Sequence, residues 1–363
     1  MTRIKRIGVL TGGGDCPGLN AVIRGVAKTA INQYGVSVVG FMDGFKGLVL
    51  NHYMELTLKT VSGIGHTGGT ILGTTNRDNP FHFLIDEKSS EYTDESDRAI
   101  KNMKELQVDG LVVIGGDGSL HIAQQFYQKG VKVVGVPKTI DNDLSATDVT
   151  FGFNTAVNTA SEALDRLHTT AESHHRVMVL EVMGRYAGWI ALYAGISGGA
   201  DVILIPEIPY NIDYVIKKIK QRYDEGKKFS IIVVAEGAAA SDGKMVVQRI
   251  VPTSHDPIRL GGIGNKLAED IEQITGIESR VTVLGHLQRG GGPIPYDRIL
   301  STRYGVAAVN ALMEGKEGSM VSLRGTDITT VSLVQAIEML KKVDPAGNLV
   351  NTARAVGISF GDK

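Results

Sequence analysis

Short apolar runs rich in β-branched residues recur along the chain, and each stops at glycine or at polar residues. Ile7–Leu10 runs into TGGGD, Val36–Phe41 into MDG, Leu111–Ile114 into GGDGS and Val131–Val136 into PKTIDND. Further on, Val177–Val182 runs into MGRYAG, Val202–Ile205 into PEIP, Ile231–Ala235 into EGAAA and Val281–Leu284 into GHLQRGGG. Between them the apolar positions take a helical period. That spacing predicts helices over Ala21–Gln33, Asp97–Leu106, Leu120–Lys129, Asn154–Thr169, Trp189–Ile196, Ile212–Glu225, Ile263–Thr275, Ile299–Met313 and Leu333–Lys341. Strands alternating with helices predict an α/β fold: mainly parallel sheets with helices on both faces. Ligands of such sheets bind beyond the carboxyl ends of the strands. The glycine and acid clusters sit at those ends, so the pattern itself points to a site.

The length, 363 residues, exceeds a typical domain of roughly 150 residues, so two domains, or one large α/β unit, are expected. A boundary near residue 152, after the PKTIDND loop, fits the pattern. The polar, acidic stretch 79–97 reads as a surface excursion. With 38 basic and 39 acidic residues the net charge is −1, which disfavours a strongly basic nucleic-acid or membrane-surface binder. The single cysteine, Cys16, excludes an intrachain disulfide and fits a reducing compartment. MTRIKRIGVL reaches a glycine turn too soon for a signal-peptide core, and no apolar run approaches the ~18 residues of a membrane span. A cytoplasmic protein is expected. Glycine is the outlier, with 45 residues, and it is clustered.

Five motifs carry candidate chemistry. TGGGDCPGLN, at 11–20, can offer backbone N–H groups and a helix N-terminus to a phosphate. Alone it reads equally well as a tight strand-to-helix turn. GGDGS, at 115–119, places Asp117 where it could meet a magnesium ion, or where it could simply cap a helix. PKTIDND, at 137–143, crowds Lys138, Thr139, Asp141 and Asp143 onto one loop after an apolar strand. Phosphoryl transfer needs such a base and a metal to neutralise charge. In VMGRYAG, Arg185 follows Gly184 after a strand and can pair with phosphate, although alone a surface ion pair is the plainer reading. RVTVLGHLQRGG, at 280–291, offers Arg280, His286 and Arg289 to an anion or a sugar.

Other chemistries lack their signatures. There is no Walker A sequence, and Gly12, Gly14 and Gly18 are spaced one residue too long for a dinucleotide fingerprint. A nicotinamide-dependent oxidoreductase, the rival at the level of the fold, would also leave TIDND unexplained. There is no HExxH and no GxSxG, and aromatic residues are too scattered for a base-stacking platform.

The ordered set TGGGDCPGLNAVIRG, GGDGS, PKTIDND, VMGRYAG and GHLQRGG resembles the 6-phosphofructokinase family, from about residue 5 to about 360. The resemblance implies two similar Rossmann-like domains with the active site in the cleft between them. One, 1–152 plus 288–338, would bind the phosphoryl donor. The other, 153–287 plus 339–363, would bind fructose 6-phosphate. It implies transfer of a phosphoryl group to the 1-hydroxyl of fructose 6-phosphate, with Asp141 as base and Thr139 and Asp143 supporting it and the metal. Asp117 would bind Mg2+. Gly13, Gly14, Gly116, Gly118 and Ser119 would hold the donor phosphates, and Arg185 the phosphoryl group in flight. Thr139, Ile140, Asp141, Met183, Gly184, Arg185, Glu236, His286, Leu287, Gln288 and Arg289 match the acceptor site. Arg176 and Arg280 match arginines that reach the 6-phosphate from a neighbouring subunit, which implies a homo-oligomer, dimer or tetramer.

Two positions bear on the donor, and they disagree. Gly118 is the residue of ATP-using relatives, where pyrophosphate users carry an Asp that would obstruct the α-phosphate. Lys138 is the residue of pyrophosphate users. Steric room is the stricter requirement, so ATP is the expected donor and pyrophosphate the alternative. Arg77 is the expected ATP-contacting arginine in LGTTNRDNP, where Asn76 aligns without a gap. At the effector site of allosteric bacterial members Arg24, Lys227 and Lys228 fit. Lys28, Tyr53 and Asp201 stand where the pattern has Arg, Arg and Glu. Losing those guanidinium forks implies weak or absent activation by a nucleoside diphosphate.

Overall fold

All eight apolar runs form strands in the computed structural model, which describes residues 4–86, 91–241, 247–250 and 258–363. The chain divides into two units. The first is Met1–Thr139, Leu144–Gly152 and Arg289–Leu340; the second is Ile140–Asp143, Phe153–Gln288 and Lys341–Lys363. Ile140–Asp143 therefore belongs with the second unit, and the later change of unit falls between Gln288 and Arg289.

The first unit is built on an eight-stranded sheet in the order Asp327–Ser332, Ser319–Arg324, Val133–Thr139, Gly110–Gly115, Arg6–Thr11, Ser37–Phe41 and Tyr53–Glu55, with Phe151–Gly152 also beside Val133–Thr139. Its interior pairings are parallel, and the two edge strands are antiparallel. Gly110–Gly115 is buried throughout, as a strand covered by helices on both faces must be. The strand Ser319–Arg324 escapes the apolar pattern because Ser319 and Ser322 interrupt it. Ser322 is fully buried and its hydroxyl donates to the Ala146 carbonyl, which satisfies the group inside the core.

Helix Leu19–Tyr34 packs against helix Pro295–Met313. Their backbones approach closely. A Cβ on Gly25 would lie 2.9 Å from the Thr302 carbonyl O, and one on Gly305 would lie 2.5 Å from that of Val22. The second of these helices begins at a proline, four residues before the expected Ile299, because the first helical turn does not need the missing N–H. The acidic stretch 79–97 contains a small antiparallel pair, Phe83–Asp86 with Glu91–Thr93. The helix expected over Leu333–Lys341 stops at Ile337, and Leu340 instead bridges Leu144.

The second unit holds a four-stranded parallel sheet in the order Val202–Leu204, Ser230–Ala235, Val177–Val182 and Ser279–Val283. Helices Phe153–His174, Trp189–Ser197, Ile212–Asp224 and Ile263–Thr275 connect and cover it. Asn211 caps one of them, its side chain accepting the Asp213 N–H. Glu181 caps another from the neighbouring strand, accepting N–H groups of Gly262 and Gly264. Helix and sheet side chains such as Val179, Ile232 and Leu267 close the core. Among the described residues no helix is long and apolar enough to cross a membrane.

Candidate active site

In the first unit, the carboxyl ends of neighbouring strands bring two glycine turns together. Gly12 N–H donates to the Ile114 carbonyl and Gly13 N–H to that of Thr75, both at 2.9 Å. Thr74 Oγ1 donates to the Gly13 carbonyl O at 2.6 Å, and Gly13 takes a left-handed backbone (φ 77°). The second turn opens the helix Asp117–Gln128, and Gly116 gives its amino end no side-chain cap. The first-turn amides have no partner within the helix, so they point outward with the positive end of the helix dipole. Ser119 ties the two turns. It is buried, and its Oγ lies 2.6 Å from where a Gly12 Cβ would stand. A Cβ on Gly115 would meet Ser119 Cβ at 2.2 Å. Gly115→Ala should therefore lower stability by about 1–3 kcal/mol through overpacking, read as a fall in thermal midpoint.

Lys138 completes this cradle. It is 4% exposed, and its ammonium donates to the Gly14 carbonyl O. Arg289 lies against the same turn: Nη1 donates to the Asp15 carbonyl O at 3.0 Å, within 2.9 Å of a Cβ built on Gly14. Asp117 is partly exposed, with His121 Nδ1 at 3.4 Å. Arg77 is exposed two residues beyond the Thr75 anchor. Cys16 is a packing residue. Burial pushes its thiol up to about 12, and Sγ donates weakly to the Phe151 carbonyl. A buried, protonated thiol is no nucleophile at neutral pH.

In the second unit, the loops after Val177–Val182, Ser230–Ala235 and Ser279–Val283 converge. Gly237 N–H donates to the Gly184 carbonyl at 3.1 Å, and a Cβ on Gly237 would fall 1.9 Å from the Arg185 carbonyl O. Glycine is required there for one turn to lie on the other. Gln288, fully buried, accepts the Met183 N–H at 2.8 Å. Met183, Gly184, Arg185, Glu236, His286, Leu287 and Gln288 are thus on joined loops, with His286 and Leu287 exposed. The Arg185 guanidinium carbon lies 4.8 Å from the Tyr186 ring centroid. Ile140 is fully buried and fixes the base of the Asp141–Asp143 loop.

Arg176 and Arg280 stand apart from this cluster. Arg176 precedes the strand that ends before Met183, and Arg280 pairs with Met178 in register. At about 3.3 Å per residue, Arg176 lies roughly 23 Å from Met183 along its strand and Arg280 roughly 17 Å from Gly285 along its own. Both hold Glu278: Arg176 Nε donates at 2.7 Å, and Arg280 Nη2 donates to the other carboxylate oxygen. The Arg176 hydrogen bond is the main cause of the lowered Glu278 pKa.

The effector positions fall in both units. Arg24 lines a cavity of about 500 Å³ with His66, Arg298, Thr302 and Arg303. Lys28 is partly buried and Tyr53 exposed. Lys227 and Lys228 are exposed in the other unit. Asp201 is committed to structure. Its carboxylate pairs with Arg222 at 2.8 Å and accepts the Ile231 N–H at 2.9 Å, although desolvation raises its pKa.

Three residues that lie outside the five motifs hold the loops of the second unit. Glu207 accepts the Gly188 N–H and that of Val343, and burial raises its pKa against those bonds. Trp189 Nε1 donates to the Lys341 carbonyl, and Lys341 Nζ to Asn142 Oδ1. The sole tryptophan, placed directly after MGRYAG, was the available signal.

Residues 6–312 match the family model described as Phosphofructokinase. The ATP-dependent 6-phosphofructokinase 2 of Clostridium perfringens (strain 13 / Type A) is 59% identical over 365 residues, covering 100% of both chains. The pyrophosphate–fructose 6-phosphate 1-phosphotransferase of Amycolatopsis methanolica is 50% identical over 341 residues, covering 94% of this chain and 96% of its own. The solved phosphofructokinase of Saccharomyces cerevisiae is 31% identical, with a TM-score of 0.77 over 92% of this chain and 45% of that longer one.

Proposed function

The chain belongs to the phosphofructokinase family, and on that premise we propose that it transfers a phosphoryl group from ATP to the 1-hydroxyl of fructose 6-phosphate. The observation that supports this reading best is the cradle of the first unit. Two glycine turns, an open helix N-terminus and the Lys138 ammonium lie together there. Polyphosphate is the ligand such a cradle suits.

In this reading the first unit binds the donor, and the second unit binds the sugar phosphate. Gly13, Gly14, Arg77, Gly116, Gly118, Ser119 and Lys138 hold the donor. Asp117, partly exposed beside the outward amides, suits a hard cation that takes one or two carboxylates and otherwise phosphate and water oxygens. Mg2+ held there would neutralise charge on the donor phosphates. Asp141 accepts the proton of the sugar hydroxyl as its oxygen bonds to phosphorus and the bond to the departing ADP breaks. Thr139 and Asp143 support Asp141. Arg185 stabilises charge on the phosphoryl oxygens, a task its position on a tightly packed turn serves. Ile140, Met183, Gly184, Glu236, His286, Leu287, Gln288 and Arg289 frame the acceptor. Arg176 and Arg280, far from the loops of their own unit, serve the 6-phosphate of another subunit in a dimer or tetramer. A cytoplasmic location fits these substrates.

Pyrophosphate is the second reading. Lys138 and the similarity to the Amycolatopsis enzyme favour it. Initial rates with fructose 6-phosphate and Mg2+, comparing ATP and pyrophosphate at matched concentrations, separate the two. ATP turnover with little pyrophosphate activity is the expected result. The reverse makes Lys138 decisive and replaces ATP as donor.

A further inference from the structure

Asn142 lies between the two acids of the TIDND loop. It is 3% exposed and takes a left-handed backbone (φ 52°). A residue with a Cβ keeps that conformation where its surroundings hold it. Lys341 supplies two of those holds. Its Nζ donates to Asn142 Oδ1 at 3.0 Å, and its N–H donates to the Asp143 carbonyl O at 2.7 Å.

The same short segment also grips the other loop. The Lys341 carbonyl accepts Trp189 Nε1–H at 2.8 Å, and the ammonium stands 5.7 Å from the Trp189 ring centroid. Trp189 opens the helix that directly follows MGRYAG. Two residues after Lys341, Val343 N–H donates to Glu207 Oε1 at 2.8 Å. Both Glu207 oxygens accept the Gly188 N–H, at 3.0 and 3.1 Å. Residues 341–343 therefore form a strap, tied at one side to the loop carrying Asp141 and at the other to the end of the loop carrying Arg185. All of these contacts lie within the second unit.

We propose that Lys341 is a positioning residue for phosphoryl transfer, fixing the Asp141 loop through Asn142 and coupling it through Trp189 to the Arg185 loop. The proposal rests on the roles given above to Asp141 and Arg185. Lys341 acts through Asn142 and leaves substrate affinity to other residues. Placement errors of about 1 Å cost up to ~10²-fold in rate, so loosening this strap should act on turnover.

The test is Lys341→Met, which keeps the stem against Trp189 and removes the ammonium. We expect kcat to fall about 10- to 100-fold, with KM for fructose 6-phosphate within about threefold and the thermal midpoint near that of the parent. Asn142→Ala removes the same bond from the other side and should show the same loss. The double variant should be no worse than either single one. A kcat within twofold of the parent in either single variant, or additive losses, overturns the proposal. Hydrogen exchange gives a readout independent of activity. Amides 139–144 should exchange faster in Lys341→Met, while helix Ile263–Thr275 keeps its protection; unchanged exchange at 139–144 also overturns the strap. If the parent protein phosphorylates no fructose 6-phosphate, the functional reading fails, and the exchange result still decides whether Lys341 holds the loop.

Discussion

Asp141→Asn should lower kcat by about 10²- to 10⁴-fold, the usual worth of a general base, with KM for fructose 6-phosphate within a few fold. Asparagine keeps the size and planarity of the side chain and cannot take the hydroxyl proton. The loop should survive the change. Ile140 anchors it from inside the core, and the Lys341 N–H holds the Asp143 carbonyl. Sugar affinity should persist because the acceptor loops are joined by backbone and Gln288 contacts that do not involve residue 141. Equal falls in kcat and kcat/KM would mark an interaction made in the transition state alone. Steady-state kinetics on both proteins measures this. Near-normal turnover in the variant removes Asp141 from the role of base and makes Asp143 the next residue to test.

The same loop shows what a linear sequence carries and what it does not. Strands such as Val177–Val182 and Gly110–Gly115 are legible because both their faces are buried, which leaves an unbroken apolar run ending in a turn. Ser319–Arg324 is not, since buried serines satisfied by hydrogen bonds look like loop residues. The glycine turns are legible as motifs, but the partner that requires glycine is not. Ser119 lies three residues after Gly116, and nothing in the chain says that it fills the space beside Gly12. The strap is the extreme case. The bond from Lys341 to Asn142 spans 199 residues, and that from Val343 to Glu207 spans 136. Neither a lysine near the carboxyl end nor a glutamate after a proline advertises such a role. Arg289 is intermediate. Its motif marks it as an anion binder, and the fold sets its guanidinium against the Gly14–Asp15 turn of the first unit.

Gly118→Asp should reduce kcat/KM for ATP by about 10²-fold or more while leaving the fold intact. Gly118 is the second residue of helix Asp117–Gln128, in the turn whose amides have no partner within the helix. A carboxylate there is favourable for the helix, by about 0.3–1 kcal/mol, so the thermal midpoint should hold or rise slightly. The same carboxylate occupies the field that a donor phosphate would use, next to the existing charge of Asp117. Two like charges about 4 Å apart repel by roughly 1 kcal/mol in water and ~4 kcal/mol at the effective dielectric of a protein surface. The upper part of that range corresponds to a 10²- to 10³-fold loss, before any steric obstruction is added. Pyrophosphate has no third phosphate to place beside the new side chain, so its kcat/KM should fall less and the ratio of pyrophosphate to ATP activity should rise. Lys138 bears on the size of that rise, because its ammonium is held on the Gly14 carbonyl, beside the turn rather than in open solvent. Measuring kcat/KM for both donors, with KM for fructose 6-phosphate as the control, decides the matter. Equal losses for the two donors would mean that Gly118 admits polyphosphate in general, and the donor would then be chosen by Lys138 and its neighbours.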